Sequence, residues 1–199
     1  SQNFYNEYML MNDLKNWTTA NVTTMYEMFY SSYRFNGKVT NFSFEVCTNT
    51  EKMFYKNYNF NNNSVSNWDV SPLTILDSLF YECKSFNQDV SSWLSSSTNV
   101  TNLDSTFSGC SKFNQDLSSW DVSNITSFNA TFSNCTNFNN GGAALPWKIT
   151  SCKNLTQLFS SCSSFNQDVG TRSDGSTGLY WDVSNVTSMS YFLSYTAYT

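Results

Sequence analysis

Histidine is absent from the 199 residues, and with it the side chain most used for acid–base work near neutral pH. No glycine-rich phosphate loop opens a helix and no G-x-S-x-G elbow occurs, so catalysis lacks its usual equipment and an enzyme is not expected. A zinc site is disfavoured because there is neither histidine nor a C-x-x-C pair. No run of about 18 apolar residues is present, so nothing in this segment is expected to span a membrane. Charge is scarce: only 13% of residues are charged and the net charge is −5. Without basic stripes, nucleic acid is excluded as a partner.

What the chain has instead is aromatic residues, 18% of the total, set at a repeating interval. The stretch Ser111–Cys135, SKFNQDLSSWDVSNITSFNATFSNC, is one unit. Ser123 can cap a helix, and Ile125, Phe128, Phe132 and Cys135 then follow at i, i+3, i+7 and i+10, on one helical face. The preceding FNQDL is short and extended in character. The unit therefore reads as strand, aromatic corner and capped helix. One such unit cannot bury its apolar side, and it requires stacked copies.

Anchoring each copy on its helix aromatic gives Phe29, Phe54, Phe80, Phe107, Phe132 and Phe159, with Leu193 in the seventh. Six residues after each phenylalanine stands another: Phe35, Phe60, Phe86, Phe113, Phe138 and Phe165. Chance does not produce that register. The expected fold is an α/β repeat solenoid, a right-handed leucine-rich-repeat-like array with one short parallel strand and one short helix in each of about seven repeats. Residues 1–199 read as a single domain with a leader at 1–9. The repeats run over 10–34, 35–59, 60–85, 86–112, 113–137, 138–164 and 165–199, the last carrying an insert at 170–180.

All tryptophans hold the corner position, so Trp17, Phe42, Trp68, Trp93, Trp120, Trp147 and Trp181 are expected to form a structural aromatic column; a sugar- or ligand-stacking surface is the sharper reading. Ser71, Thr98, Ser123, Thr150 and Ser184 stand where a hydroxyl caps a helix, and Pro72 falls at the first helical position. After each strand phenylalanine comes an amide pair or close variant, such as Asn87-Gln88 and Asn114-Gln115. An amide ladder at roughly 4.8 Å would keep Gln115 satisfied in the core; a bulge turning it outward is the competing account. Two inserts interrupt the period, at 139–146 and at 170–180, the second rich in glycine and serine.

The motifs FNQDVSSW (86–93), FNQDLSSWDVSNIT (113–126), FNQDV (165–169) and WDVSNVTSMS (181–190) resemble the repeat of BspA-like leucine-rich-repeat surface proteins, a repeat also found in mycoplasma-type surface lipoproteins and in microbial eukaryotes. The resemblance covers roughly residues 10–193. It implies a right-handed solenoid at a cell surface, serving adhesion or envelope structure, with no catalytic residues to carry over. The departures are VCTNTEKMF (46–54), where the usual S-N-V-T start is replaced, and the long seventh insert.

Cys83, Cys110, Cys135 and Cys162 sit three residues after successive anchors, while Cys47 and Cys152 take the first apolar helix position. The six are candidates for disulfides or for buried thiols. Ten N-x-[ST] sequons are glycosylation candidates: Asn16, Asn21, Asn41, Asn62, Asn99, Asn124, Asn129, Asn134, Asn154 and Asn185. Asp89, Asp116 and Asp168 recur at one position and Asp69, Asp121 and Asp182 at another. Such columns can bind calcium, but carboxylates that bond nearby backbone at turns are the plainer reading, and no cofactor is expected. Two functions fit: an extracellular structural glycoprotein assembling head-to-tail through its ends into a filament or coat, or an adhesin binding a protein or glycan through the strand face or the 170–180 loop.

Overall fold

The computed structural model describes Leu14 and residues 16–95, 99–169 and 181–198. The leader at 1–9, Thr98 and the insert at 170–180 lie outside the described residues.

The expected array of one strand and one helix per repeat is overturned. Among the described residues the helical segments are two short 3-10 turns, Asn63–Asn67 and Asn140–Gly142. Strand-type pairing is limited to isolated parallel bridges, Thr24 to Asn49, Asn49 to Ile75, Asn102 to Ser127, Ser127 to Asn154 and Asn154 to Ser188. These fall within the segments expected to be helical, while the expected strands at 86–90, 113–117 and 165–169 carry none. No α-helix follows Ser71, Ser123, Thr150 or Ser184, so these residues cap none.

The reason lies in the backbone after each of those positions. In the fourth coil, Leu103, Ser105, Phe107 and Gly109 donate their N–H groups to the carbonyls of Ser127, Asn129, Thr131 and Ser133 in the next coil, at 3.1, 2.8, 3.0 and 2.7 Å. The residues between them turn back: Thr106, Ser108 and Cys110 donate to Leu103, Ser105 and Phe107 at 3.1, 3.1 and 2.9 Å. Ser105 (φ 56°) and Gly109 (φ 76°) are left-handed, and the matching pairs elsewhere are Glu27/Ser31, Lys52/Lys56, Ser78/Glu82, Ala130/Asn134, Gln157/Ser161 and Tyr191/Tyr195. A positive φ at every fourth residue closes one turn and starts another, so the N–H groups alternate between the coil's own carbonyls and those of its neighbour. An α-helix would send them all along its own axis. Segments such as Asn-Ala-Thr-Phe-Ser-Asn are poor helix formers, because short polar side chains favour turns. A ribbon of four-residue turns also brings Phe128 and Phe132 to one side, which is why the spacing imitates a helix.

The opposite register is used at the bridges, where the later coil donates backward: Thr48 to Thr23, Thr126 to Thr101 and Thr187 to Lys153 at 3.2, 2.8 and 2.8 Å. Pro72 falls inside the turn closed by Leu73 N–H on Val70, so its missing donor costs nothing. The 139–146 insert is folded into the wall. Asn140 is fully buried; it accepts from Leu117 N–H at 2.7 Å and donates to Ala143 and Ala144 at 3.0 Å.

Two phenylalanine columns run through the centre. The anchors Phe54, Phe80, Phe107, Phe132 and Phe159 stack at 5.5 to 5.9 Å. The second set, Phe60, Phe86, Phe113, Phe138 and Phe165, stacks at 5.8 to 6.2 Å. Within one coil the two rings are closer, 4.1 Å for Phe80 and Phe86 and 4.0 Å for Phe159 and Phe165. Each interior ring thus touches others within its coil and on both neighbours. Phe107→Ala empties a position with rings above, below and beside it, and is expected to cost about 3–5 kcal/mol, read as a lower urea midpoint. A loss under about 1 kcal/mol would mean that neighbouring coils collapse into the space.

Candidate functional surface

Side chains in register form columns whose chemistry separates structural residues from those left over. Trp68 and Trp93 stack at 5.8 Å, Trp120 and Trp147 at 6.1 Å, and Trp147 and Trp181 at 5.6 Å. Each indole N–H also reaches a carbonyl of the preceding coil: Trp93 to Val65, Trp120 to Val90, Trp147 to Leu117 and Trp181 to Leu145, at 2.9 to 3.1 Å. Trp68 to Trp181 are at most 5% exposed, so these rings offer no face to a ligand. Trp17 is partly buried against the core, and Phe42, buried in the tryptophan register, stacks on Phe29 at 6.3 Å.

The asparagine column is an amide ladder of another kind. Asn61, Asn87, Asn114, Asn139 and Asn166 each donate a backbone N–H to the side-chain Oδ1 of the asparagine one coil earlier, beginning with Asn36, at 2.8 to 2.9 Å. Gln88 and Gln115 Nε2 bond the Oδ1 and carbonyl of Asn61 and Asn87. The glutamines are half-buried rather than in the core.

All six cysteines considered for disulfides are free, buried thiols. Sγ of Cys83, Cys110, Cys135 and Cys162 lies 2.9 to 3.1 Å from the carbonyls of Phe54, Phe80, Phe107 and Phe132, one coil back. Cys47 and Cys152 reach Asn49 and Asn154 at 3.6 Å. Burial pushes the thiols of Cys83, Cys110 and Cys135 well above the usual range and that of Cys162 to about 12.

The acid columns bond their own chain. Oδ1 of Asp69, Asp89, Asp116, Asp121 and Asp182 accepts the N–H two residues on, at 2.9 to 3.1 Å. Hydrogen bonds from Ser71, Ser123 and Ser184 hold Asp69, Asp121 and Asp182 below the usual carboxylate range. Among the described residues no three potential ligands converge on a metal position. One acid differs: Asp77 has an Oδ1 that is buried without a partner, and burial, with repulsion from Asp104 and Glu51, raises its pKa to about 6.

Of the sequons, Asn16, Asn21, Asn41, Asn99, Asn124, Asn134 and Asn185 are exposed, and Asn62, Asn129 and Asn154 are half-buried. Asn99 and Asn185 donate Nδ2 to the carbonyls of Ser71 and Thr150, while Oδ1 of Asn62 and Asn154 accepts the N–H of Ser64 and Thr156.

One outer feature has no counterpart in these structural columns. In the first three coils the residue after each anchor is a half-buried tyrosine. Tyr30 and Tyr55 stack at 4.8 Å with planes 2° apart, and Tyr55 and Tyr81 at 4.5 Å and 6°. Beside them Tyr33 and Tyr58 stack at 5.1 Å. Lys56 Nζ lies 5.5 Å above the Tyr55 ring and Lys84 Nζ 4.6 Å above Tyr58. Lys52 bonds Glu51 at 2.8 Å and covers Tyr26. Attraction to Glu82 raises the Lys56 pKa, and burial raises those of Tyr55 and Tyr58. From the fourth coil on, serines replace these tyrosines: Ser108, Ser133, Ser160 and Ser194. At the step lies a cleft of about 450 Å³ lined by Tyr81, Glu82, Lys84, Ser108, Gly109, Ser111 and Asn134. Sequence reasoning passed over this ladder; its signal was a tyrosine one place after Phe29, Phe54 and Phe80.

A family model described as "Mycoplasma protein of unknown function, DUF285" matches residues 1–99, 58–172 and 96–198. None of the curated proteins and none of the solved structures compared with the chain matches it. No described helix is long and apolar enough to cross a membrane.

Two outcomes follow for buried groups. In the native protein none of the six thiols should react with a thiol reagent at pH 8, and all six should react once urea unfolds the chain; fewer than six would reveal disulfides. Asp77 keeps a proton that the unfolded chain releases near pH 4. Its contribution to stability is fully present below about pH 4 and is lost as pH rises through about 6. Asp77→Asn should therefore stabilise the protein at pH 7.5, by about 1 kcal/mol after solvent screening of a half-buried group, and have little effect below pH 4. Equal unfolding midpoints at pH 7.5 would show that the carboxylate is not strained.

Proposed function

We propose, from the premise that this chain belongs to the Mycoplasma protein family of unknown function DUF285, that it is a non-catalytic binding module displayed at a cell surface, recognising a partner through its tyrosine ladder. The observation that carries the reading is that, among the described residues, the stacked tyrosines reach the surface. Tyr30, Tyr55 and Tyr81 are half-buried and Tyr33, stacked on Tyr58 beside them, is 43% exposed, whereas the interior phenylalanine and tryptophan columns are consumed in packing. A stacked row of tyrosines offers contact area with little entropy to lose, since neighbouring rings already hold one another. The Glu27, Glu51 and Glu82 carboxylates and the Lys52, Lys56 and Lys84 ammonium groups fringe it with both signs, which suits a polar, specific contact rather than nonspecific adhesion. The exposed sequons other than Asn134, which lines the cleft beside Tyr81, are the glycan acceptors in this reading. The 170–180 loop, the other surface considered for binding, lies outside the described residues.

A structural role as a filament or coat subunit has its own support. The coil-to-coil ladder of backbone hydrogen bonds, as from Leu155 and Gln157 to the carbonyls of Ser188 and Ser190 at 2.7 and 2.8 Å, is a pattern that a further coil can continue. In this reading a second copy supplies that coil, by a head-to-tail contact. Electron microscopy at high concentration tests it, and dispersed particles alone would overturn it.

For the binding module, Tyr30→Ser/Tyr55→Ser replaces two ladder rings with the residue later coils use at that register. Beads coated with this variant should attach to a cell monolayer at least about ten-fold less than wild type, while the variant stays folded with its unfolding free energy in urea lowered by about 1–3 kcal/mol for the two stacked pairs removed. Unchanged attachment would overturn the reading.

A further inference from the structure

We propose that the cleft where the tyrosine ladder ends binds one neutral pyranose ring of a glycan, seated on the outer face of Tyr81. The inference rests on the ladder being the binding face and names a ligand class for its last step. Tyr30 and Tyr55 are each covered by the next ring, at 4.8 and 4.5 Å. Tyr81 is the last, because Ser108 stands where a fourth tyrosine would cover it. Two further changes open the space. The left-handed position that carries Lys56 and Glu82 in earlier coils is Gly109 in the fourth, and a Cβ there would come within 2.9 Å of the Glu82 side chain. The position of Tyr33 and Tyr58 becomes Lys84 and then Ser111. Three departures in one coil thus leave a cleft of about 450 Å³, within the range of about 300–1,000 Å³ common for ligand sites.

The lining decides the ligand. Its aromatic lining residue is Tyr81, and the others are Glu82, Lys84, Ser108, Ser111, Asn134 and Gly109, with the Ser108 and Ser111 hydroxyls donating to the carbonyls of Ser133 and Lys84 and so left to accept. A pyranose has the complementary form: a face of C–H groups that packs on an aromatic ring, and a rim of hydroxyls that both donate and accept. A purely aromatic side chain would cover Tyr81 but leave the polar rim desolvated and unpaired, at a cost of about 1–3 kcal/mol for each buried group. An anionic ligand is disfavoured, since Glu82 balances Lys84 and the ammonium lies over Tyr58.

The test uses isothermal titration calorimetry and saturation-transfer NMR with cellobiose, lactose and N,N′-diacetylchitobiose. At least one should bind, with its ring C–H protons receiving the transfer. Ser108→Tyr completes the ladder and fills the cleft with a residue already used at that register, so it should fold and lose binding by at least about ten-fold. Tyr81→Ala should lose it equally, and Tyr30→Ser should not. No binding by any of the three, binding that survives both cleft variants, or binding of N-acetyltryptophanamide without any saccharide would overturn the proposal. Bead attachment separates the two readings. Attachment lost in Tyr30→Ser/Tyr55→Ser with no saccharide binding overturns the cleft and leaves the ladder standing. Saccharide binding blocked by Ser108→Tyr, with attachment indifferent to the ladder, supports the cleft and overturns the wider reading.

Discussion

Everything in this protein depends on the alternation of backbone N–H groups between a coil's own turns and the carbonyls of the next coil. The left-handed residues that enforce it, such as Ser105 and Ala130, each carry a conformational penalty of about 1 kcal/mol or more. That penalty is tolerated because each turn so placed frees an N–H to reach across, as from Ser105 to Asn129 and from Ala130 to Thr156, both at 2.8 Å. The ladder fixes the register between coils, and register turns equivalent positions into columns. A coil displaced by one residue would lose its hydrogen bonds and its ring contacts together.

Inside the columns, side-chain donors repeatedly reach a carbonyl of the coil behind. Tryptophan N–H, cysteine S–H and threonine O–H all do this; Thr131 Oγ1, for example, bonds the Leu103 carbonyl at 2.9 Å. The requirement is for a donor of suitable length, not for one residue type. The cysteine register accordingly holds Asn57 in the second coil, whose amide, oriented to satisfy both, donates to the carbonyls of Ser32 and Phe35. This explains why cysteines recur in a column without forming disulfides: each thiol is directed at a backbone oxygen rather than at the next sulfur.

The period, the tryptophan register and both phenylalanine columns were legible because identical residues at fixed intervals need no knowledge of local conformation. The helix was misread for a physical reason. Apolar residues at 125, 128, 132 and 135 satisfy a helical face and a ribbon of four-residue turns about equally well. Only backbone angles at Ala130 and Asn134 separate the two, and no side chain there announces a positive φ. The amide ladder was expected to join side chains to each other and to backbone with Gln115 in the core; Asn114 Oδ1 accepts the Asn139 N–H and Gln115 Nε2 bonds Asn87, but Gln115 is only half-buried. The tyrosine ladder escaped notice because its column is interrupted, and a search for what recurs discards what stops.

The same interruption gives the surface its local character. Residues that hold the core or close the coil-to-coil ladder are constrained in every coil. The position after each anchor holds a half-buried, stacked tyrosine in the first three coils and a serine, buried in the fourth to sixth, from there on, so the fold accepts either residue without altering its register. A change from Tyr81 to Ser108 is therefore nearly invisible to the core, yet it alters the outer face from a closed stack to an open ring beside a polar rim. When coils are this uniform within, a partner can distinguish one from another only by such positions. The step between the third and fourth coils, where the Tyr81, Lys84 and Gly109 positions all change character, is the sharpest of these along the described chain.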